Sequence, residues 1–122
     1  AARWYRKAAE HGHPQAQVNL GVMYTEGQGV PSNNAEAFNL FSQAAEQGHA
    51  EGQTALGMML ALGQTGDPDF IQATKWFTLA ASAGDDAAKQ AQAELSKKMT
   101  PSQVAEGQKL AQAWADSQKV EE

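Results

Sequence analysis

Cysteine is absent from the 122 residues, so a disulfide framework, a thiol nucleophile and a thiolate metal site are all excluded. Basic runs are missing too. The 9 Lys+Arg are scattered among 14 Asp+Glu for a net charge of −5, which argues against a nucleic-acid binder held by phosphate contacts. No long apolar run exists either: "ALGMMLALG" at 55–63 falls far short of the roughly 20 residues a membrane-spanning helix needs. What is present, 42% hydrophobic against 19% charged residues, excludes a disordered chain, and the mild acidic excess keeps the domain in solution. The chain opens on Ala1 inside a repeat and without Met, which reads as the loss of an upstream portion where any export signal would lie.

The dominant feature is self-similarity. Trp4-Tyr5, Leu40-Phe41 and Trp76-Phe77 are successively 36 residues apart, as are Ala8-Ala9, Ala44-Ala45 and Ala80-Ala81, and so are Gly12, Gly48 and Gly84. Leu20-Gly21 recurs as Leu56-Gly57 and Gly27 as Gly63, with no gap. A period in this range marks a stacked array of supersecondary units, none of which can bury its apolar face alone. Function is therefore sought on a surface first and in a pocket second.

Within each unit one segment carries apolar residues at relative positions 0, 3, 4, 7 and 8: Ala1, Trp4, Tyr5, Ala8, Ala9; then Ala37, Leu40, Phe41, Ala44, Ala45; then Ala73, Trp76, Phe77, Ala80, Ala81. These spacings fall on one face of a helix. Each such back helix stops at a glycine, Gly12, Gly48 or Gly84, suited to a left-handed closing residue. Asn33 with Glu36, and Asp69 with Gln72, read as capping residues. Shorter front helices are predicted between them, from about 14 to 26 and 50 to 62, with cores of Ala16, Leu20, Tyr24 and Gly52, Leu56, Leu60. Pro14 suits a first helical turn. A mid-helix glycine ordinarily costs about 1 kcal/mol, so the pair Gly21 and Gly57 predicts close approach of the paired back helix.

The third unit departs from the pattern. Asp85 is a cap, but Gln92-Ala93 replaces Leu-Gly and the apolar residues are Ala88, Ala91, Leu95 and Met99, as expected of a terminal unit. Thr100, Pro101 and Gln103 then start a last helix with Val104, Gly107, Leu110, Ala111 and Trp114 on one face. It is expected to lie over the open end of the stack as a lid, with "DSQKVEE" as a frayed tail. Trp4, Trp76 and Trp114 all belong to apolar helical faces expected to be buried.

Several constellations invite a chemical reading. His11 and His13 in "HGHP" suggest a metal, yet His13 shares its repeat position with His49 and Asp85 at a helix entrance, while His11 becomes Gln47 and then Ala83, so no ligand set is maintained. Asp67 and Asp69 in "GDPDF" resemble the opening of a calcium loop but lack the later ligands; they read as turn and cap. "EGQGVP" is no phosphate cradle, having no Gly-Lys-Ser/Thr after it. The serines have no histidine and carboxylate at motif spacing. Catalytic residues, cofactors and metals are accordingly expected to be none.

Ala16, Leu20-Gly21, Tyr24, Gly27, Gly29-Val30, Ala37, Phe41 and Ala44-Ala45, followed by Gly48, resemble the Sel-one-like repeat, a relative of the tetratricopeptide repeat. The resemblance covers residues 1–84 closely and 85–99 weakly. The second unit deviates, with Leu60 in place of the tyrosine and "GQTGDPDF" in place of the Gly-x-Gly-Val turn. The Met-Thr-Pro start of the last helix is similar to the endings of bacterial members. The resemblance implies an all-α, right-handed α-solenoid of about seven helices in antiparallel pairs, forming one domain. Its parts are a partial repeat at 1–12, repeats at 13–48 and 49–84, a degenerate repeat helix at 85–99, a capping helix at 100–118 and a tail at 119–122. It further implies a non-catalytic adaptor or scaffold for a protein or peptide partner, a bacterial source and, by family habit, an exported or envelope location.

If the front helices line the concave surface, as in related solenoids, Gln15, Asn19, Val22 and Glu26 share one side of the first, and Glu51, Ala55, Met58 and Leu62 are their equivalents. Ala87, Ala91, Glu94 and Lys98 form a third set. Val22, Met58 and Leu62 are apolar where solvent is expected, with Met58 and Met59 offering an adaptable surface. One reading is a groove for an extended or helical peptide; the other is packing between neighbouring front helices. A further alternative is a structural unit self-associating through an open N-terminal end near Trp4 and Tyr5.

Overall fold

A computed structural model describes residues 2–27, 33–64 and 66–120, all helices and short connections. The helices are α1 (Ala2–Glu10), α2 (Pro14–Glu26), α3 (Asn34–Glu46), α4 (Ala50–Leu62), α5 (Phe70–Ser82), α6 (Asp86–Ser96) and α7 (Pro101–Val120). Each forms where the apolar spacing allows one buried stripe, and each of α1 to α6 packs on its neighbour in sequence. Back helices α1, α3 and α5 thus alternate with front helices α2, α4 and α6.

The ends of these helices are set by side chains. Asn33 Oδ1 accepts from the Glu36 amide at 3.1 Å, Asp69 Oδ1 from the Gln72 amide at 3.0 Å and Asp85 Oδ1 from the Ala88 amide at 3.2 Å. His13 does the same for Ala16 through Nδ1 at 3.3 Å. Thr100 and Gln103 bond reciprocally: the Gln103 amide donates to Thr100 Oγ1 at 3.1 Å and the Thr100 amide to Gln103 Oε1 at 2.9 Å. Each cap satisfies an orphan N–H and contributes about 1 kcal/mol. Back helices α1, α3 and α5 close at Gly12, Gly48 and Gly84 with φ of 80°, 83° and 97°. Of the turn at Gly27, Gly29 and Val30, only Gly27 lies within the described residues.

Gly21 and Gly57 in the front helices are packing devices. A Cβ on Gly21 would stand 2.6 Å from the Phe41 ring, and one on Gly57 2.6 Å from the Phe77 ring. Repeating this joint links Val18, Phe41, Leu56, Met59 and Trp76 into one core cluster, flanked by others around Leu20 with Leu40 and around Phe77 with Leu95. The apolar pattern alone missed Gln17 and Gln53, both buried in the front helices. Their Nε2 atoms donate to Ala9 O and Ala45 O, each at 3.3 Å, carbonyls of the last helical turn that also accept from the Gly12 and Gly48 amides.

Three expectations are corrected. Trp4 is not buried: it is 65% exposed while its equivalents Leu40 and Trp76 are 5% and 4%, because among the described residues no front helix lies across α1 on that side. Met59 is core, not surface, since it falls one helical step away from Met58. And α7 does not cover the open end. It packs along α5 and scarcely touches α6, with Gly107 set against Thr74, where a Cβ would come within 2.6 Å. Trp114 meets Trp76 edge-on at 5.8 Å between centroids, and its Nε1 donates to Glu46 Oε2 at 3.1 Å. The helix runs through Val120, into the segment expected to fray.

Candidate functional site

Curvature of the stack identifies the face most open to a partner. Neighbouring front helices touch, α2 with α4 and α4 with α6, more closely than neighbouring back helices do. The more tightly spaced layer is the inner one, so α2, α4 and α6 line the concave side.

Side-chain braces fix the spacing of this layer. His49 and Asp85, at equivalent helix entrances, each reach the preceding front helix. His49 Nε2 lies 3.2 Å from Gln15 Oε1 and 3.9 Å from a Glu51 oxygen, and Thr54 Oγ1 donates to Asp85 Oδ2 at 3.0 Å. Gln15 also donates to Asn19 Oδ1 at 3.2 Å. The seam between α2 and α4 is therefore partly filled by polar side chains. Along α4 and α6, by contrast, the facing residues are Thr54, Ala55, Met58, Ala87 and Ala91, mostly too small to close the gap.

A trough results. Its inner end, about 310 Å³ in volume, is lined by Met58, Leu62, Phe70, Phe77, Ala91 and Leu95 among others, with Glu94 and Lys98 as its polar members. That is the small end of the range for ligand clefts, roughly 300–1,000 Å³. Met58, Ala91 and Glu94 are shared with a second cleft, which in turn shares Thr54 and Ala87 with a third that includes Val18, Val22, Glu51 and Ala55. The trough thus runs the length of α4, about 20 Å for 13 residues.

Of the eight residues selected on sequence, Val22, Glu51 and Ala55 fall at one end of this trough, and Met58 and Leu62 at the other. Val22, Met58 and Leu62 are all surface-exposed. Gln15 and Asn19 are engaged in the brace at the α2–α4 seam, and exposed Glu26 lies off the trough. The aromatic floor was not foreseen. Phe70 occupies the position of Asn34 in the preceding unit, and that polar-to-aromatic departure is the signal that could have found it. His11 is exposed and His13 serves as a cap. Among the described residues no group of three or more His, Asp or Glu side chains could hold a metal ion, and no helix is long and apolar enough to cross a membrane.

Comparison with known proteins agrees with this architecture. The Sel1 repeat model matches residues 1–13, 14–49 and 50–85. The crystal structure of a protective antigen of uropathogenic Escherichia coli strains, displaying an SLR fold, superposes with a TM-score of 0.90 at 32% identity over 95% of this chain and 25% of that protein. A Sel1 repeat protein from Oxalobacter formigenes superposes with a TM-score of 0.72 at 36% identity, over 75% of this chain and 69% of the other. The chain spans only a quarter of the E. coli antigen's length. No curated protein matches the chain. Sel1 repeat proteins generally mediate protein–protein interaction. With repeat matches covering most of the sequence and the same helical stacking in both bacterial structures, the chain belongs to the Sel1 repeat family.

Proposed function

We propose that the chain is a non-catalytic adaptor that takes a segment of a protein partner along the trough between α4 and α6. The observation that carries this reading is the exposure of Met58 and Leu62 beside an aromatic and aliphatic floor. Exposed apolar side chains at i and i+4 beside a cleft are what an inserted peptide would cover. Small residues at Ala55, Ala87 and Ala91 give its backbone room. Polar Glu51, Glu94 and Lys98 at the rim would fix register more than affinity.

The test compares affinity capture from native extract by the unmodified chain and by Met58→Glu and Leu62→Glu variants. Both side chains are exposed, so circular dichroism should show the fold intact. Loss of the same captured protein with both variants supports the trough; unchanged capture by folded variants contradicts it.

A second reading, an assembly unit joined through its N-terminal end, is favoured by the exposed Trp4 beside Tyr5. As simple self-association it predicts a molecular mass that rises with concentration in light scattering and is held down by Trp4→Ser.

A further inference from the structure

Trp114 of α7 lies in the furrow between the back helices α3 and α5. Its Nε1 donates to Glu46 Oε2 at 3.1 Å, its ring meets Trp76 edge-on at 5.8 Å, and it packs on the core cluster that holds Leu56. Glu46 and Trp76 are the repeat equivalents of Glu10 and Leu40, which stand 36 residues earlier. Those two residues line a recess of about 200 Å³ in the corresponding furrow between α1 and α3, together with Arg6, Tyr24, Glu36 and Gln43. The same furrow is thus built twice, and α7 fills one of the two with an indole.

We propose that the recess between α1 and α3 binds a tryptophan side chain of a partner protein, with its ring on Leu40 and its indole N–H donated to the Glu10 carboxylate. Trp114 supplies the precedent for both contacts. Leu40 is a buried apolar floor, and a cavity of about 150 Å³ already suffices for a benzene ring. Glu10 is exposed at the rim, as Glu46 is. Arg6, where the filled furrow has Ser42, donates through Nη2 to the Tyr24 hydroxyl at 3.4 Å, which keeps a guanidinium at the recess to lie over an aromatic face. The two carboxylates, Glu10 and Glu36, favour a ligand that donates N–H groups over an anionic one. Tryptophan is also the side chain that most often anchors a protein interface. The recess shares no lining residue with the trough between α4 and α6, so it is a second site, independent of the first.

The experiment titrates the nitrogen-15-labelled chain with N-acetyltryptophanamide, an uncharged mimic of a tryptophan within a peptide, and follows the backbone amide shifts. The expected result is saturable shifts at Glu10, Tyr24, Glu36 and Leu40. Binding should be about threefold or more weaker for the analogue methylated at the indole nitrogen, and likewise for a Glu10→Ala variant, as for the loss of one hydrogen bond. Glu10 is exposed, so the variant should keep its circular dichroism. Free L-tryptophan should bind less tightly than the capped amide, because its carboxylate meets Glu10 and Glu36. Free tryptophan binding as tightly or more tightly would overturn the assignment to a protein residue. The proposal as a whole would be overturned by an absence of saturable shifts at the four amides, by shifts confined to α4 and α6, or by equal affinity for the methylated analogue.

Discussion

At the C-terminal end of the stack, α6 turns Lys89, Gln92, Ala93 and Ser96 toward the side where a further back helix would pack. α7 leaves that side open and folds back along α5. At the N-terminal end, α1 presents Trp4 and Tyr5. Both ends use the same 36-residue frame, yet one is solvated and the other apolar. The difference resides in a few side chains: where Leu-Gly becomes Gln-Ala, the aromatic partner has no flat glycine to rest on and the helix no longer needs a neighbour. Terminal repeats with polar outer faces keep solenoids soluble, and α6 carries such a face where α1 does not.

Substitutions at matched repeat positions sharpen this contrast. The largest expected loss follows Trp76→Ala, about 3–5 kcal/mol by urea unfolding, because a buried indole leaves a cavity between α4, α5 and α7. Gly57→Val comes next. Its Cβ would press within 2.6 Å of Phe77 and cost about 1–3 kcal/mol as overpacking, whereas Ala93→Val at the same repeat position in α6 should cost less than about 1 kcal/mol, a propensity effect only. Gly107→Val should also cost about 1–3 kcal/mol; a red shift of Trp114 emission would show α7 leaving α5. Thr100→Ala removes one half of the α7 capping box, for a loss of about 1 kcal/mol. The smallest effect belongs to Trp4→Ala, within about 0.5 kcal/mol, as for a surface side chain away from any joint. A loss at Trp4 as large as that at Trp76 would break the comparison between the ends.

How much of this was written in the sequence differs by level. Helix limits of α2 and α4 followed directly from Pro14, the Leu-Gly frame and the apolar spacing, because local propensity and tertiary packing agree there. Caps at Asn33, Asp69 and Thr100 were legible for the same reason: their bonds reach only three residues along the chain. Gln17 and Gln53 were not, since an amide at a buried position looks like an exposed one until the carbonyl it donates to is placed beside it. The path of α7 was also hidden. Its apolar face is plain, but whether that face meets α6 or α5 depends on Gly107 finding Thr74, a contact 33 residues away in sequence. In the candidate site, helical phase put Val22, Met58 and Leu62 on one side of the front helices but left open whether they meet solvent or a neighbouring helix. The Phe70 and Phe77 floor required knowing how the turn before α5 folds back toward α4.

Acrylamide quenching of the three tryptophans in the native chain, resolved by Trp4→Phe, Trp76→Phe and Trp114→Phe subtractions, tests most directly the claim that one joint is repeated and left open at α1. Trp4 should be quenched nearly as freely as a model peptide, Trp114 partially and Trp76 hardly at all. A Trp4 as shielded as Trp76 in a monomeric chain would contradict the account.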